Sequence, residues 1–405
     1  MNFQELYGIS CSTEAQSLRY RNLAARFDRR YAGEKHFFSA SGRIEILGNH
    51  TDHNHGKVLV GAISADTLAC VTPSPEIVLE SEGYPAIRVN PENLSPLPEE
   101  RGTSLALVKG VLADCKRRGR RIGGFSGVMT SNIFKGAGVS SSAAFEVLIA
   151  EIMNRFYNDG RIGGVEKAQI AQYAENVYFG KPCGLLDQTG ISLGGICEID
   201  FEQPDAPKVD RLSLDLGAYR VVIVNTGGDH SDLTEAYASI RREMEEVAQA
   251  FGKSVLREVP FAKFLSEIPA LSAKVSGRAI LRALHFYEEN ERVEAGARAV
   301  RAGDLGAFFE AVNGSGDSSA RLLQNLCVGG DVAQRIPLAI ELSRRMMKRG
   351  GGVRVHGGGF AGTTLAFVHE EDLPEYLAVM GQTFGADNLF SAEIRGRGAC
   401  EVLFE

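Results

Sequence analysis

The run Gly136-Ala137-Gly138-Val139-Ser140-Ser141-Ser142-Ala143-Ala144 constrains this chain more than any other stretch. It lies between a strand-like segment, Gly124 to Ile133, and a clear helical pattern. In that pattern Phe145, Leu148, Ile149, Ile152, Met153 and Phe156 form one apolar stripe at helical spacing. Small residues let backbone come close to a ligand, and a helix N-terminus adds unpaired N–H groups with a positive partial charge. Serine hydroxyls can cap the helix, bind phosphate oxygens or ligate Mg²⁺. The stretch therefore reads as a phosphate cradle. It is not a Walker A loop, because no Gly-Lys-Ser/Thr follows. The plain alternative is a small-residue turn with a serine N-cap, although three serines exceed what a cap requires.

Glycine is over-used throughout, 46 of 405 residues, about 11% against a usual value near 7%. Two further clusters carry much of that excess. Gly42-Arg43-Ile44-Glu45-Ile46-Leu47-Gly48-Asn49-His50-Thr51-Asp52-His53-Asn54-His55-Gly56 crowds polar groups between two strand-like runs. Its Asp, Asn, His and Arg side chains suit a hydroxyl-rich ligand. Three histidines also invite a zinc reading, but their spacing is not a common zinc pattern and no HExxH helix accompanies them. Gly180-Lys181-Pro182-Cys183-Gly184-Leu185-Leu186-Asp187-Gln188 sets Asp187 in a glycine-punctuated loop after a helix. A carboxylate there can orient or deprotonate a substrate hydroxyl, or simply cap the loop. Gly350 to Gly352 and Gly357 to Gly362 form another close-approach turn near the C-terminus.

The remaining features exclude more than they assign. The net charge of −7 argues against a nucleic-acid binder that depends on an overall positive field. Seven scattered cysteines without a CxxC argue against a disulfide framework. No stretch reaches the roughly 18 apolar residues of a membrane span. Met1 to Tyr20 has no apolar leader core, so a cytoplasmic setting is expected. The basic run Lys116 to Arg121 reads as a solvated helix end. Short apolar runs at Ile44 to Leu47, Val58 to Ile63 and Leu68 to Val71 predict strands, and a second helix is expected over Glu166 to Tyr178. Pro204 and Pro207 among charged residues suggest a boundary that divides the chain into 1–208 and 209–405.

These clusters, in this order, carry a resemblance. Gly42 to Gly56 is similar to the signature of galactokinases, usually G-R-V-N-L-I-G-E-H-T-D-Y-N-G-G. Gly136 to Ala144 resembles the phosphate loop of galactokinase, homoserine, mevalonate and phosphomevalonate kinases. Val353 to Val368 resembles that superfamily's third motif, with Gly357, Gly358, Gly359 and Gly362 in place. Ala174-Glu175-Asn176 and Cys183 to Gln188 match the stretches carrying a Mg²⁺-binding glutamate and a catalytic aspartate. Asn225 to Arg242 resembles a segment with a sugar-contacting tyrosine, here Tyr237.

The resemblance implies an α+β, two-domain sugar-kinase fold of the galactokinase and mevalonate kinase type. Mixed or antiparallel sheets would carry helices, with the active site in the interdomain cleft. It implies ATP-dependent phosphorylation of the anomeric hydroxyl of galactose. Asp187 and Arg43 would be catalytic. Asn49, His50, Asp52, Gly184 and Tyr237 would bind sugar. Gly136, Ala137, Gly138, Val139, Ser140, Ser141 and Ser142 would wrap ATP, with Ser142 and Glu175 on Mg²⁺. The expected partners are a small-molecule sugar and ATP, with no nucleic acid and no membrane, in a monomer or weak dimer. Asn49 departs from the signature's glutamate, which in the family contacts the C6 hydroxyl. That departure keeps a galacturonate, L-arabinose or N-acetylgalactosamine 1-kinase open. A non-catalytic sugar and ATP sensor, and a metallohydrolase built on His50, His53 and His55, are the readings from other classes.

Overall fold

The computed structural model describes residues 3–8, 11–133, 138–227, 233–360 and 362–404, so Gly136 and Ala137 of the serine-bearing loop lie outside the described residues. Twelve strands occur among these residues: β1 His36–Leu47, β2 Lys57–Ser74, β3 Ile77–Ser81, β4 Ile87–Val89, β5 Gly124–Ser131, β6 Ile196–Asp200, β7 Lys208–Leu212, β8 Tyr219–Asn225, β9 Gly351–His356, β10 Thr363–His369, β11 Leu389–Ala392 and β12 Cys400–Val402. They form two sheets. The larger runs β12-β1-β2-β5-β3-β4, with β6 and β7 continuing from the other half of β2. It is mixed, because β3 and β5 pair in parallel. The smaller sheet, β11-β8-β10-β9, is antiparallel.

The apolar runs at 58–63 and 68–71 prove to be one strand. Asp66 lies between them and reads in sequence as an interruption. It is fully buried, yet Arg19, Tyr7 and Ser39 all donate to its side chain, and Arg395 lies 3.7 Å away. A paired, hydrogen-bonded charge can remain inside a sheet. β1 is buried over its length after His36, which hides any alternation of polar and apolar residues.

The larger sheet packs against the helices Ser104–Arg117, Ser141–Tyr157 and Gly164–Tyr173. The apolar stripe of the helix Ser141–Tyr157 supplies Leu148, Ile149, Ile152 and Met153 to that core. The same core continues through the helices Gly277–Ala302 and Leu305–Ser318 to Ile223, Leu365 and Phe367 of the smaller sheet. The smaller sheet's other face is covered by the helices Arg335–Met346 and Leu373–Phe384. The first sheet draws on both sides of position 208: β7 pairs with β6, and β12 pairs with β1.

Two local features aim residues into the space between the sheets. The β1–β2 register slips between Ser41 and Arg43 and again between Glu45 and Leu47. Such bulges re-aim side chains. The expected second helix stops at Tyr173 and opens into a wider π turn over Ala174–Phe179, with Gly180 N–H bonded to Glu175 O. Turns of that kind recur at functional sites, and this one carries Glu175.

Candidate active site

A cavity of about 380 Å³ opens between the two sheets. Its walls include Arg43, Gly138, Val139, the three serines, Lys181 and Asp187 on one side. Tyr237, His356, Gly357, Gly358, Gly362 and Thr363 form the other. Residues far apart in sequence thus share one polar cavity.

Arg43 and Asp187 form its centre. Arg43 Nε donates to Asp187 Oδ1 at 2.7 Å, and Arg43 Nη1 donates to Gly138 O. Gly42 eases the packing of β1 on the serine-bearing loop, since a Cβ there would stand only 3.0 Å from Val139 O, the carbonyl that accepts Arg43 N–H at 3.1 Å. Asp187 Oδ2 accepts from the Ser140 hydroxyl. Burial pushes the Asp187 carboxyl up, but Arg43 outweighs it by charge and hydrogen bond, and the net effect holds Asp187 below its usual range. It is a carboxylate at neutral pH.

The three serines are not an ordinary cap. Ser140 precedes the helix Ser141–Tyr157 in a left-handed conformation, φ 60°, and its side chain makes no capping bond. Its hydroxyl is turned to Asp187 instead. A non-glycine residue held in this region signals strain fixed by its surroundings. Ser142 Oγ donates to Glu175 Oε1 at 3.4 Å, and Lys181 Nζ approaches the same oxygen at 3.3 Å. Gln188 Nε2 donates to Glu175 Oε2 at 3.0 Å. Beside them Glu146 is fully buried, and burial, followed by the charge of Glu175, pushes its carboxyl up to about 9.

Of the expected sugar contacts, the cavity lining takes in Tyr237 but not Asn49, His50, Asp52 or Gly184. Tyr237 donates its hydroxyl to Gly359 O at 2.8 Å and meets Phe360 edge to face. Asn49 is 1% exposed and bonded to Glu45, Gly357 O and Asn325. His50 Nε2 donates to Gly358 O at 2.9 Å; burial lowers the ring's pKa, so it stays neutral. Asp52 and Gly184 meet closely: a Cβ on Gly184 would lie 2.3 Å from Asp52 Oδ2, so any other residue there would push the Asp52 carboxylate aside. Burial, then the charge of Glu45, raises Asp52 to about 6. His50, His53 and His55 do not converge on a metal. His50 bonds a carbonyl, His53 accepts from Asn54, and no group of three or more His, Cys, Asp or Glu is placed to hold a metal among the described residues.

Lys181, His356 and Thr363 also line the cavity and were not assigned roles from sequence. His356 Nε2 accepts Glu45 N–H at 3.2 Å, and its Nδ1 pairs with the Thr363 hydroxyl at 3.2 Å. A polar pair opposite each other on β9 and β10 was the available signal, His356 being registered against Thr363. No helix among the described residues is long and apolar enough to cross a membrane.

The chain is similar to known proteins along most of its length. Residues 25–73 match the galactokinase galactose-binding signature, and residues 106–195 match the GHMP kinases N terminal domain. A human galactokinase is 32% identical over 381 residues, covering 89% of this chain and 91% of that protein. A Clostridium tetani galactokinase is 27% identical over 377 residues, covering 91% and 93%. Among solved structures, Lactococcus lactis galactokinase complexed with galactose superposes with a TM-score of 0.78 at 23% identity, covering 96% of this chain and 99% of that one. A mevalonate kinase gives 0.62 at 16% identity, covering 88% and 98%.

Proposed function

This chain belongs to the galactokinase family, and from that premise we propose that it uses ATP to phosphorylate the anomeric hydroxyl of galactose. The observation that carries the reading is the Arg43–Asp187 pair facing the serine-bearing helix start inside one cavity. Phosphoryl transfer asks a protein mainly to position the reactants and to compensate charge on the phosphate oxygens. Ser140 to Ser142 and the N-terminal N–H groups of their helix suit the triphosphate. Arg43 stands where charge on the transferring group can be met. Asp187, ionised and 34% exposed, can accept the hydrogen bond of an acceptor hydroxyl. A carboxylate held below its usual pKa is a weak base, so it orients the hydroxyl more than it removes the proton early.

Mg²⁺ fits the oxygens present. Ser142 and Glu175 bring a hydroxyl and a carboxylate oxygen within 3.4 Å of each other beside the phosphate side of the cavity. Ser142 and Glu175 would hold the ion, which would neutralise charge on the phosphates. Tyr237 lines the cavity, and His50, Asp52 and Gly184, which stand outside its lining, would shape the sugar's end of the cleft through the resemblance alone. The test is an ADP-release assay over a panel of monosaccharides. Turnover of galactose is expected; no turnover with any sugar overturns the reading.

A further inference from the structure

The cavity wall formed by Gly357 and Gly358 is held from behind. Three successive carbonyls of that turn are each bound by a side chain from elsewhere in the fold. Gly357 O accepts Asn49 Nδ2 at 2.8 Å. Gly358 O accepts His50 Nε2 at 2.9 Å and Asn325 Nδ2 at 3.1 Å. Gly359 O accepts the Tyr237 hydroxyl at 2.8 Å. Gly357 and Gly359 have left-handed φ values of 71° and 83°, so the turn has few ways to relax by itself.

A second layer fixes the first. Asn49 Nδ2 also donates to Glu45 Oε1 at 2.8 Å, and Asn49 Oδ1 accepts from Asn325 at 2.8 Å. Glu45 Oε1 accepts in turn from Arg354 Nη2 at 3.0 Å. Arg354 is fully buried, and its other terminal nitrogen donates to Ile46 O at 2.9 Å. Both amide protons of Asn49 are therefore engaged inside the protein. The galactokinase signature quoted above has asparagine and then glutamate at these two positions. This chain has Glu45 and then Asn49. The carboxylate and the amide have changed places, and the structure joins them by a hydrogen bond.

We propose that Glu45 and Asn49 act as one positioning unit, anchored on Arg354, that holds the Gly357–Gly359 turn against the cleft without turning a side chain of its own to the sugar. The proposal rests on the sugar-kinase reading for its catalytic consequence and on the contacts alone for its structural one. Neither residue can be exchanged singly. Asn49→Glu sets two buried carboxylates beside one guanidinium. Glu45→Asn removes the carboxylate bonded to the buried Arg354 and leaves it only the charge of Glu289 nearby. Either disruption is strongly unfavourable inside a protein. The reciprocal exchange restores one carboxylate and one amide. Glutamate is longer than asparagine by one methylene, which lets a carboxylate from position 49 reach toward the place Glu45 now fills.

The experiment compares wild type, E45N, N49E, E45N/N49E and N49A by thermal unfolding and by kcat/KM for galactose and 6-deoxygalactose. Each single exchange is expected to lower the midpoint and to cut kcat/KM about 100-fold, the scale of a small displacement of site backbone. The double exchange is expected to recover both. N49A is expected to weaken turnover of the two sugars by the same factor, because it loosens the wall and removes no sugar contact. A double variant no better than the worse single one overturns the unit. A loss in N49A confined to galactose overturns the positioning role, since it would mean Asn49 touches the C6 hydroxyl. Should wild type turn over no sugar, the kinase reading falls, and the midpoints still decide whether the pair behaves as one unit.

Discussion

Asp187→Asn keeps the outline of the side chain and removes its charge. In the native chain Asp187 accepts Arg43 Nε at 2.7 Å and the Ser140 hydroxyl. Asparagine still offers Oδ1 to Arg43, so the cavity keeps its shape. What disappears is the ionised acceptor for the sugar hydroxyl. A positioned group of this kind contributes about 10²–10⁴-fold to rate. A central expectation is a fall in kcat of about 10³, equivalent to roughly 4 kcal/mol at about 1.4 kcal/mol per tenfold. The stability loss should be far smaller. Opposite charges about 4 Å apart interact by about 4 kcal/mol at an effective dielectric near 20. The Asp187 side chain is 34% exposed against 9% for Arg43, and exposed pairs are worth about 1 kcal/mol or less. The folding penalty should therefore lie near the low end. The ADP-release assay at saturating ATP reads kcat, and a titration of ATP reads its KM, which the serines and Lys181 should keep nearly unchanged. A loss below about tenfold, under the usual range for such groups, would refute the orienting role. So would a loss that appears in the ATP KM or follows a collapse in the unfolding midpoint.

Two other expectations concern pH. Asp52 is raised to about 6 by burial and then by Glu45, so kcat/KM for sugar should rise with pH through about 6 as its carboxylate becomes an acceptor. Asp52→Asn should erase that limb, and an unaltered profile would remove Asp52 from the sugar's end of the cleft. Asp66 behaves oppositely. Burial pushes it up, but Arg19 and then Arg395 outweigh that, leaving it below its usual value. A lowered carboxyl contributes stability that is present above its unfolded pKa, about 3.9, and is lost as pH falls through the folded one. Asp66→Asn should cost about 3–5 kcal/mol at neutral pH, the usual effect of orphaning a buried charge. It should also flatten the loss in acid, both measurable by denaturant unfolding between neutral pH and the acid limit.

The sequence made the local elements legible where one period dominated. The stripe from Phe145 to Phe156 is helical and lies in the core, although burial runs all round the helix from Ala143 to Asn154 and Phe156 is only partly buried. The run of valines and isoleucine at 221–224 is a strand with both faces covered. Where polar groups interrupt a pattern, local reading loses the thread. Asp66 looked like a break in β2 because its partners Arg19 and Arg395 lie far away along the chain. The serine run was open to a capping reading. Ser140 instead gives its hydroxyl to Asp187, a choice set by tertiary geometry. Asp187 stood out in its glycine-punctuated loop, the resemblance added roles for Arg43 and Tyr237, and all three line one cavity. Glu45, Arg354, Asn325 and His285 were not found. A charge on a strand beside Arg43, or in the run Gly352-Val353-Arg354-Val355-His356, was the only hint. Nothing local tells that Arg354 meets Glu45 or that His285 holds Asn49 O.

The pairing of β12 with β1 ties Cys400–Val402 to the first long strand. Arg395 reinforces the tie by donating to Ser39. The edge of the larger sheet beside β1 therefore stays uncovered until residues 395–402 have docked on it. A nick before Arg395 would leave that edge open and Asp66 short of a cation. The strand that carries Arg43 thus borrows part of its firmness from a segment remote from it along the chain.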